Sequence, residues 1–155
     1  EHAGPPARGP HNLFPSSIVG LPGHRVANVV LKNITMTTAG GGRREVAEVP
    51  LEKIVGIPER AERYPEFSMF GELPAWGFYV RHAESITFEK VTLRAQTPDF
   101  RSPFVLDDVQ DALLDSVSVT HVDGAPVILQ RASKNVRMKN TKLPPSATEP
   151  IRELK

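Results

Sequence analysis

Four seven-residue stretches, at 28–34, 85–91, 111–117 and 135–141, share one pattern. Each reads small polar, apolar, variable, large apolar, polar, polar and then β-branched. Successive side chains of a strand point to opposite faces, so this alternation marks a half-buried strand. A short apolar stretch precedes each by about nine residues: Ile18 and Val19, Phe78 to Val80, Phe104 to Leu106, and Val127 to Leu129. The unit is therefore strand, corner, strand, corner. The interval is 26 residues from Ile86 to Ala112 and 24 from Ala112 to Val136. From Val29 to Ile86 it is 57, which leaves room for one unit plus an insertion of about thirty residues.

A repeat in the twenties, with β-branched strands and no helical period, predicts a β-solenoid. One coil cannot bury its inward side chains alone. Stacking aligns Val29, Ile86, Ala112 and Val136 into one interior row, and Leu31, Phe88, Leu114 and Met138 into another. Asn28, Asn33, Asn135 and Asn140 fall at corners, where asparagine tolerates a left-handed backbone. The expected organisation is one β-solenoid unit over 1–155, with an irregular lead-in at 1–15, an insertion at 39–75 and a tail at 143–155. Within the insertion, Tyr64, Phe67, Met69 and Phe70 are expected to pack on the solenoid wall. Residues 58–64 could form a helical turn opened by Pro58. Pro144 and Pro145 are expected to oppose further strand pairing, so that the tail runs over the last coil.

Composition removes several function classes. Nineteen basic residues against 18 acidic ones leave a formal net charge of +1, so no bulk field favours nucleic acid or an anionic membrane. Cysteine is absent, which excludes disulfides, thiolate metal sites and a cysteine nucleophile. No apolar run reaches the roughly 18 residues of a membrane span. Five histidines without metal-ligand spacing argue against a metal site, and no cofactor is expected. The start of the chain carries no apolar signal core and reads as a chain entered mid-protein.

Two longer stretches add a resemblance. Ser17-Ile18-Val19-Gly20-Leu21-Pro22-Gly23-His24, and the run from Tyr64 through Phe70-Gly71-Glu72-Leu73-Pro74-Ala75-Trp76-Gly77 to His82, resemble bacterial members of glycoside hydrolase family 28, the polygalacturonase-like family. The resemblance covers about Pro15 to Leu143. It implies an all-β fold, a right-handed single-stranded parallel β-helix of the pectin-lyase-like type, here of about four coils with one long insertion. It also implies a secreted or periplasmic protein that hydrolyses pectic or related glycosidic bonds with inversion, its partner a polysaccharide or oligosaccharide.

The chain departs from that family's catalytic pattern: it contains no Asn-Thr-Asp, no Gly-His-Gly and no Arg-Ile-Lys. Two near-matches remain, Asp107-Asp108 and Pro22-Gly23-His24. The family places its aspartate pair ahead of the histidine motif and just before the first strand of its coil. Here the pair follows His24 by more than eighty residues and comes after Phe104-Val105-Leu106. Adjacent strand residues also face opposite ways, so at most one of the two could face a shared cleft. A solvated corner is therefore the favoured reading of Asp107-Asp108, and no residue is assigned a catalytic role.

Trp76, Tyr79, Arg81 and His82 are the candidate substrate-binding residues. Aromatic faces stack on sugar rings, and an arginine can fork onto a uronate carboxylate. The competing reading makes Trp76 a plug under the insertion and His82 a hydrogen-bonded corner. The expected function is scaffold and one flank of the sugar cleft in a glycoside hydrolase. The isolated chain is expected to be inactive, and its open N-terminal end to take the remaining coils of a parent protein or another copy. A non-catalytic carbohydrate-binding or structural β-helix module is the alternative. An intact esterase or lyase on the same scaffold is weakened by the lack of any paired motif.

Overall fold

The computed structural model describes residues 14–48, 51–66 and 68–155. The lead-in up to Leu13 and the side chain of Phe67 lie outside the described residues. Eight strands form one sheet: β1 (Ser16–Val19), β2 (Val26–Thr38), β3 (Ala75–Ala95), β4 (Ser102–Asp115), β5 (Ser118–Val119), β6 (Ile128–Arg131), β7 (Arg137–Lys139) and β8 (Ile151–Leu154). Every pairing between these strands is parallel. Two short helices, α1 (Arg44–Ala47) and α2 (Leu51–Val55), lie in the excursion between β2 and β3. The protein is thus mostly β-strand, with a parallel sheet as its main element.

The register follows the repeat. Val29 pairs with Ile86 and Ile86 with Ala112. Leu31 pairs with Phe88, Phe88 with Leu114, and Leu114 with Met138. The inward rows meet in one core, in which Phe78, Phe88 and Phe104 pack with ring centroids 4.9–5.7 Å apart. Middle rungs are closed off on both sides: Ile86, Phe88, Val91 and Leu93 have no exposed surface. Their partners Val29, Leu31, Ile34 and Met36, on the outer rung, are only partly buried.

Left-handed backbone turns the chain from one straight segment to the next. Asn28, Ser85, Asp111 and Asn135 form one column of positive φ, and Asn33, Lys90, Ser116 and Asn140 a second. His82, Asp108 and Ala132 form a third. Left-handed backbone costs an ordinary residue about 1–2 kcal/mol, and less for Asn and Asp, whose short polar side chains can bond locally. Here Asn135 Nδ2 donates to Asp111 (3.0 Å) and Asn140 Nδ2 to Asp115 (3.1 Å), tying corner to corner.

The excursion covers the sheet's outer face. Tyr79, Val105 and Leu129 stack there in register and bury against Ile54 and Leu73, with Ile57 and Phe70 at the margin. Tyr64 does not join them: it is 88% exposed, because Arg63 N–H bonds to Arg60 C=O and turns the chain away from the wall. Residues 58–64 hold that turn rather than a helix, and the helix of this region is α2. The tail also departs from expectation. Residues Ile151–Leu154 pair with β6 as a further parallel rung. Pro144 and Pro145 lie several residues upstream, and a proline removes only its own N–H from a ladder.

Phe88 sits at the centre of the core and Lys90 is an exposed corner. Phe88→Ala should therefore destabilise by about 3–5 kcal/mol, whereas Lys90→Ala should leave the denaturation midpoint nearly unchanged. Equal midpoints in urea would contradict the facing of this strand.

Candidate functional site

Arg81, Asp107 and Arg131 are partners in one row across three rungs. All three project from the outer face, on the same side as Tyr79, Val105 and Leu129 two residues before each. Asp107 is wholly buried. Arg131 Nε donates to its Oδ1 at 2.7 Å, and Nη2 lies 2.5 Å from the same oxygen. Arg81 Nε lies 3.1 Å from Oδ2, an ion pair without hydrogen-bond alignment. The rest of the Arg81 guanidinium reaches into the excursion: Nη1 donates to Ile57 C=O at 2.7 Å and Nη2 lies 2.8 Å from Glu59 Oε1.

The next position around the corner builds a second cluster. Asp108 has φ 55°, which swings its carboxylate away from Asp107. Arg25 Nη2 binds its Oδ1 at 2.6 Å, and His82 Nδ1 lies 2.7 Å from Oδ2. His82 Nε2 lies 3.2 Å from Glu59 Oε1, so the imidazole bridges a carboxylate of the sheet and one of the excursion. Arg25 arrives from the hairpin at Leu21 and His24, whose central Gly23 takes φ 75°. His24 itself is exposed at that turn and joins none of these groups.

A separate ion pair fastens the other end of the excursion. Asp99 and Arg101 are each about 1% exposed and bond at 2.8 Å. Asp99 Oδ2 also accepts the Gly42 N–H at 2.9 Å, and Arg101 Nη1 reaches Leu73 C=O at 3.4 Å. A Cβ on Gly42 would lie 2.1 Å from Arg101 Nε, so the close approach requires glycine.

These surroundings set the protonation balance. Burial pushes the Asp107 carboxyl up, and the pull of Arg131 and Arg81 does not fully offset it. Burial also acts upward on Asp108, but the hydrogen bonds and charges of Arg25 and His82 together outweigh it and hold this carboxyl low. Burial raises the Tyr79 phenol well above its usual range, and the Asp107 charge adds to that.

The expectation of a solvated corner for Asp107-Asp108 is thus overturned for Asp107, because the excursion roofs the outer face at that point. Of the four candidate sugar contacts, Trp76 is 2% exposed and lies in the core, and Tyr79 is fully buried beneath the excursion. Neither presents a ring face to a ligand. Arg81 and His82 are also buried and are engaged as ion-pair partners. Sequence reasoning missed Arg25, Glu59 and Arg131. Only Arg131 carried a signal: Arg81, Asp107 and Arg131 recur at 26 and 24 residues, the interval of the repeat itself.

Beside this network lies an open cleft of about 610 Å³ between β1 and the excursion. Val19 and Phe70 supply apolar lining, and Ser16, Ser17, Arg60 and Arg63 polar lining. Among the described residues no group of three or more His, Asp or Glu side chains is arranged to hold a metal ion. No family model, curated protein or solved structure matches the chain.

If Asp107 is a structural counterion, Asp107→Asn should be costly, because it leaves Arg81 and Arg131 facing each other across a neutral group. A loss of about 3–5 kcal/mol is expected in chemical denaturation. A catalytic carboxylate held against its neighbours would give no loss, or a gain, on the same substitution.

Proposed function

We propose that the chain forms coils of a right-handed parallel β-helix of the polygalacturonase-like type. In this reading it serves a carbohydrate-active protein as scaffold and as one flank of the sugar groove, not as the catalytic centre. In-register parallel rungs, three columns of left-handed corners and a continuous aliphatic and aromatic interior support the fold part of the reading. The observation that carries the functional part is the state of Asp107 and Asp108. Inverting hydrolysis needs two carboxyl groups about 6.5–9.5 Å apart on either side of an open cleft. Asp107 is buried between two arginines, and Asp108 is held by Arg25 and His82. Both carboxylates are occupied in holding strands and excursion together.

The purified chain is expected to bind pectic oligosaccharides and to release no reducing ends from polygalacturonate. Hydrolysis that disappears in Asp107→Asn or Asp108→Asn would overturn the non-catalytic assignment. Absence of binding to any acidic or neutral plant-wall oligosaccharide in calorimetry would overturn the carbohydrate assignment as well.

A further inference from the structure

We propose that the face beyond the second corner column carries a binding site, centred on Ser118, for the phosphate group of a small phosphate monoester. The site is independent of the carbohydrate reading and of the cleft beside the excursion.

Register builds the place. Past that corner the outward rows are polar. Thr35, Thr92, Ser118 and Lys142 are partners in one row. Asn33, Lys90, Ser116 and Asn140 form the corner row before it. Thr37 pairs with Arg94 in the row after it, and Thr120 joins that row, its N–H bonding to Leu93 C=O at 3.1 Å. Ser118 therefore has Thr92 on one neighbouring rung and Lys142 on the other, with Lys90 and Arg94 on the diagonals. Neighbouring rungs lie about 4.8 Å apart, so three cationic side chains stand around one hydroxyl. Together these residues line an open hollow of about 490 Å³.

Charge separates this face from the rest of the molecule. Elsewhere the outer rows answer their own charges, Arg81 and Arg131 with Asp107, and Lys32 with Glu89. No carboxylate lines the hollow. Among the described residues none lies within ion-pair distance of Lys90, Arg94 or Lys142. The two nearest in sequence, Glu89 and Asp115, belong to the row on the far side of the corner. Glu89 pairs with Lys32 at 2.9 Å. Asp115 accepts Asn140 Nδ2 at 3.1 Å and Ser116 Oγ at 3.0 Å, and Lys90 acts on it only at longer range. Three unanswered cations are a local excess in a chain whose formal net charge is +1.

The donors beside them are also free. Thr92 and Ser118 are half-buried, and neither hydroxyl bonds to another group among the described residues. Three converging cations with hydroxyl donors between them suit a compact dianion with three terminal oxygens. Arginine meets such a group with two parallel hydrogen bonds and lysine as a point charge. A carboxylate has one charge and two oxygens, and leaves part of the cluster unanswered. A phosphodiester polymer needs cations repeated along a line, whereas these surround one point. A phosphate monoester carries close to two negative charges at neutral pH and meets both conditions.

Calorimetry and amide-shift titration of the whole chain, at constant low ionic strength, provide the test. The probes are inorganic phosphate, glycerol phosphate, acetate and an oligothymidylate. Both phosphates should bind, with shifts centred on Ser116 to Thr120, and acetate at least about tenfold more weakly, the scale of one charge-assisted hydrogen bond. Lys90→Gln with Arg94→Gln and Lys142→Gln should weaken phosphate binding by a similar factor or more. Ser118→Ala, which keeps every charge, should give a smaller loss in the same direction. Lys53→Gln with Arg63→Gln and Lys155→Gln makes the same charge change on other exposed surface and should bind as the parent does. An equal loss in that control would show a general charge effect and overturn the site. Acetate binding as tightly as phosphate, or Ser118→Ala binding as the parent does, would overturn it too. Oligothymidylate binding more tightly than glycerol phosphate would overturn the monoester in favour of a polymer. Binding of neither phosphate would remove the site and leave the carbohydrate reading standing.

Discussion

In-register parallel stacking is the constraint on which the rest of this structure depends. Neighbouring strands lie about 4.8 Å apart, so whatever occupies a position is repeated against its counterpart one rung away. Apolar side chains gain from this: Ile86, Phe88, Ala112 and Leu114 on the middle rungs have no exposed surface, and their partners on the end rungs are partly buried. Corners must repeat as well, which is why residues as different as Ser85, Lys90 and Asn140 all take positive φ. Charges meet the strictest condition, since like charges at that spacing repel. The row Arg81, Asp107, Arg131 alternates in sign. In the row Lys32, Glu89, Asp115, Lys139, two acidic neighbours are closed at each end by a lysine.

The excursion converts one of these rows from surface to interior. Roofed by Ile57 and Glu59, the outer face near Arg81 loses contact with water, and a charge ladder that would otherwise add little becomes tightly held. Breaking it from one side exposes the cost of the charge left behind. The same roof fixes where the 57–66 segment sits, because Arg81 and His82 grip Glu59 from the sheet. Arg81 and His82, which do not line the cleft, thus fix its wall through Glu59, which does.

How much of this was legible follows from where period exists. The interior rows, their register and the asparagine corners follow from residues 28–34, 85–91, 111–117 and 135–141, because alternation and interval repeat there. The Arg81, Asp107 and Arg131 ladder obeys the same interval and was legible in principle. The Asp107-Asp108 dipeptide masks it, because an adjacent pair of aspartates reads as a corner until Asp107 is matched with Arg81 and Arg131 one rung away on either side. Burial of Trp76 and Tyr79 was not legible in full. Trp76 follows from strand facing, but Tyr79 points outward and is buried only by Ile54, Phe70 and Leu73, which come from a stretch with no period. Arg25 and Glu59 enter from irregular segments for the same reason. The closing strand β8 was masked by Pro144 and Pro145, whose effect is confined to their own positions.

The buried ladder and the excursion are one energetic unit joined through Arg81. A double-mutant cycle with Asp107→Asn and Glu59→Gln tests it most directly, because the two acids share Arg81 while pairing with it from sheet and excursion respectively. Unfolding free energies should be non-additive, with a coupling of about 0.5–3 kcal/mol. Additivity to within about 0.5 kcal/mol would show that ladder and excursion are held independently and would contradict the account.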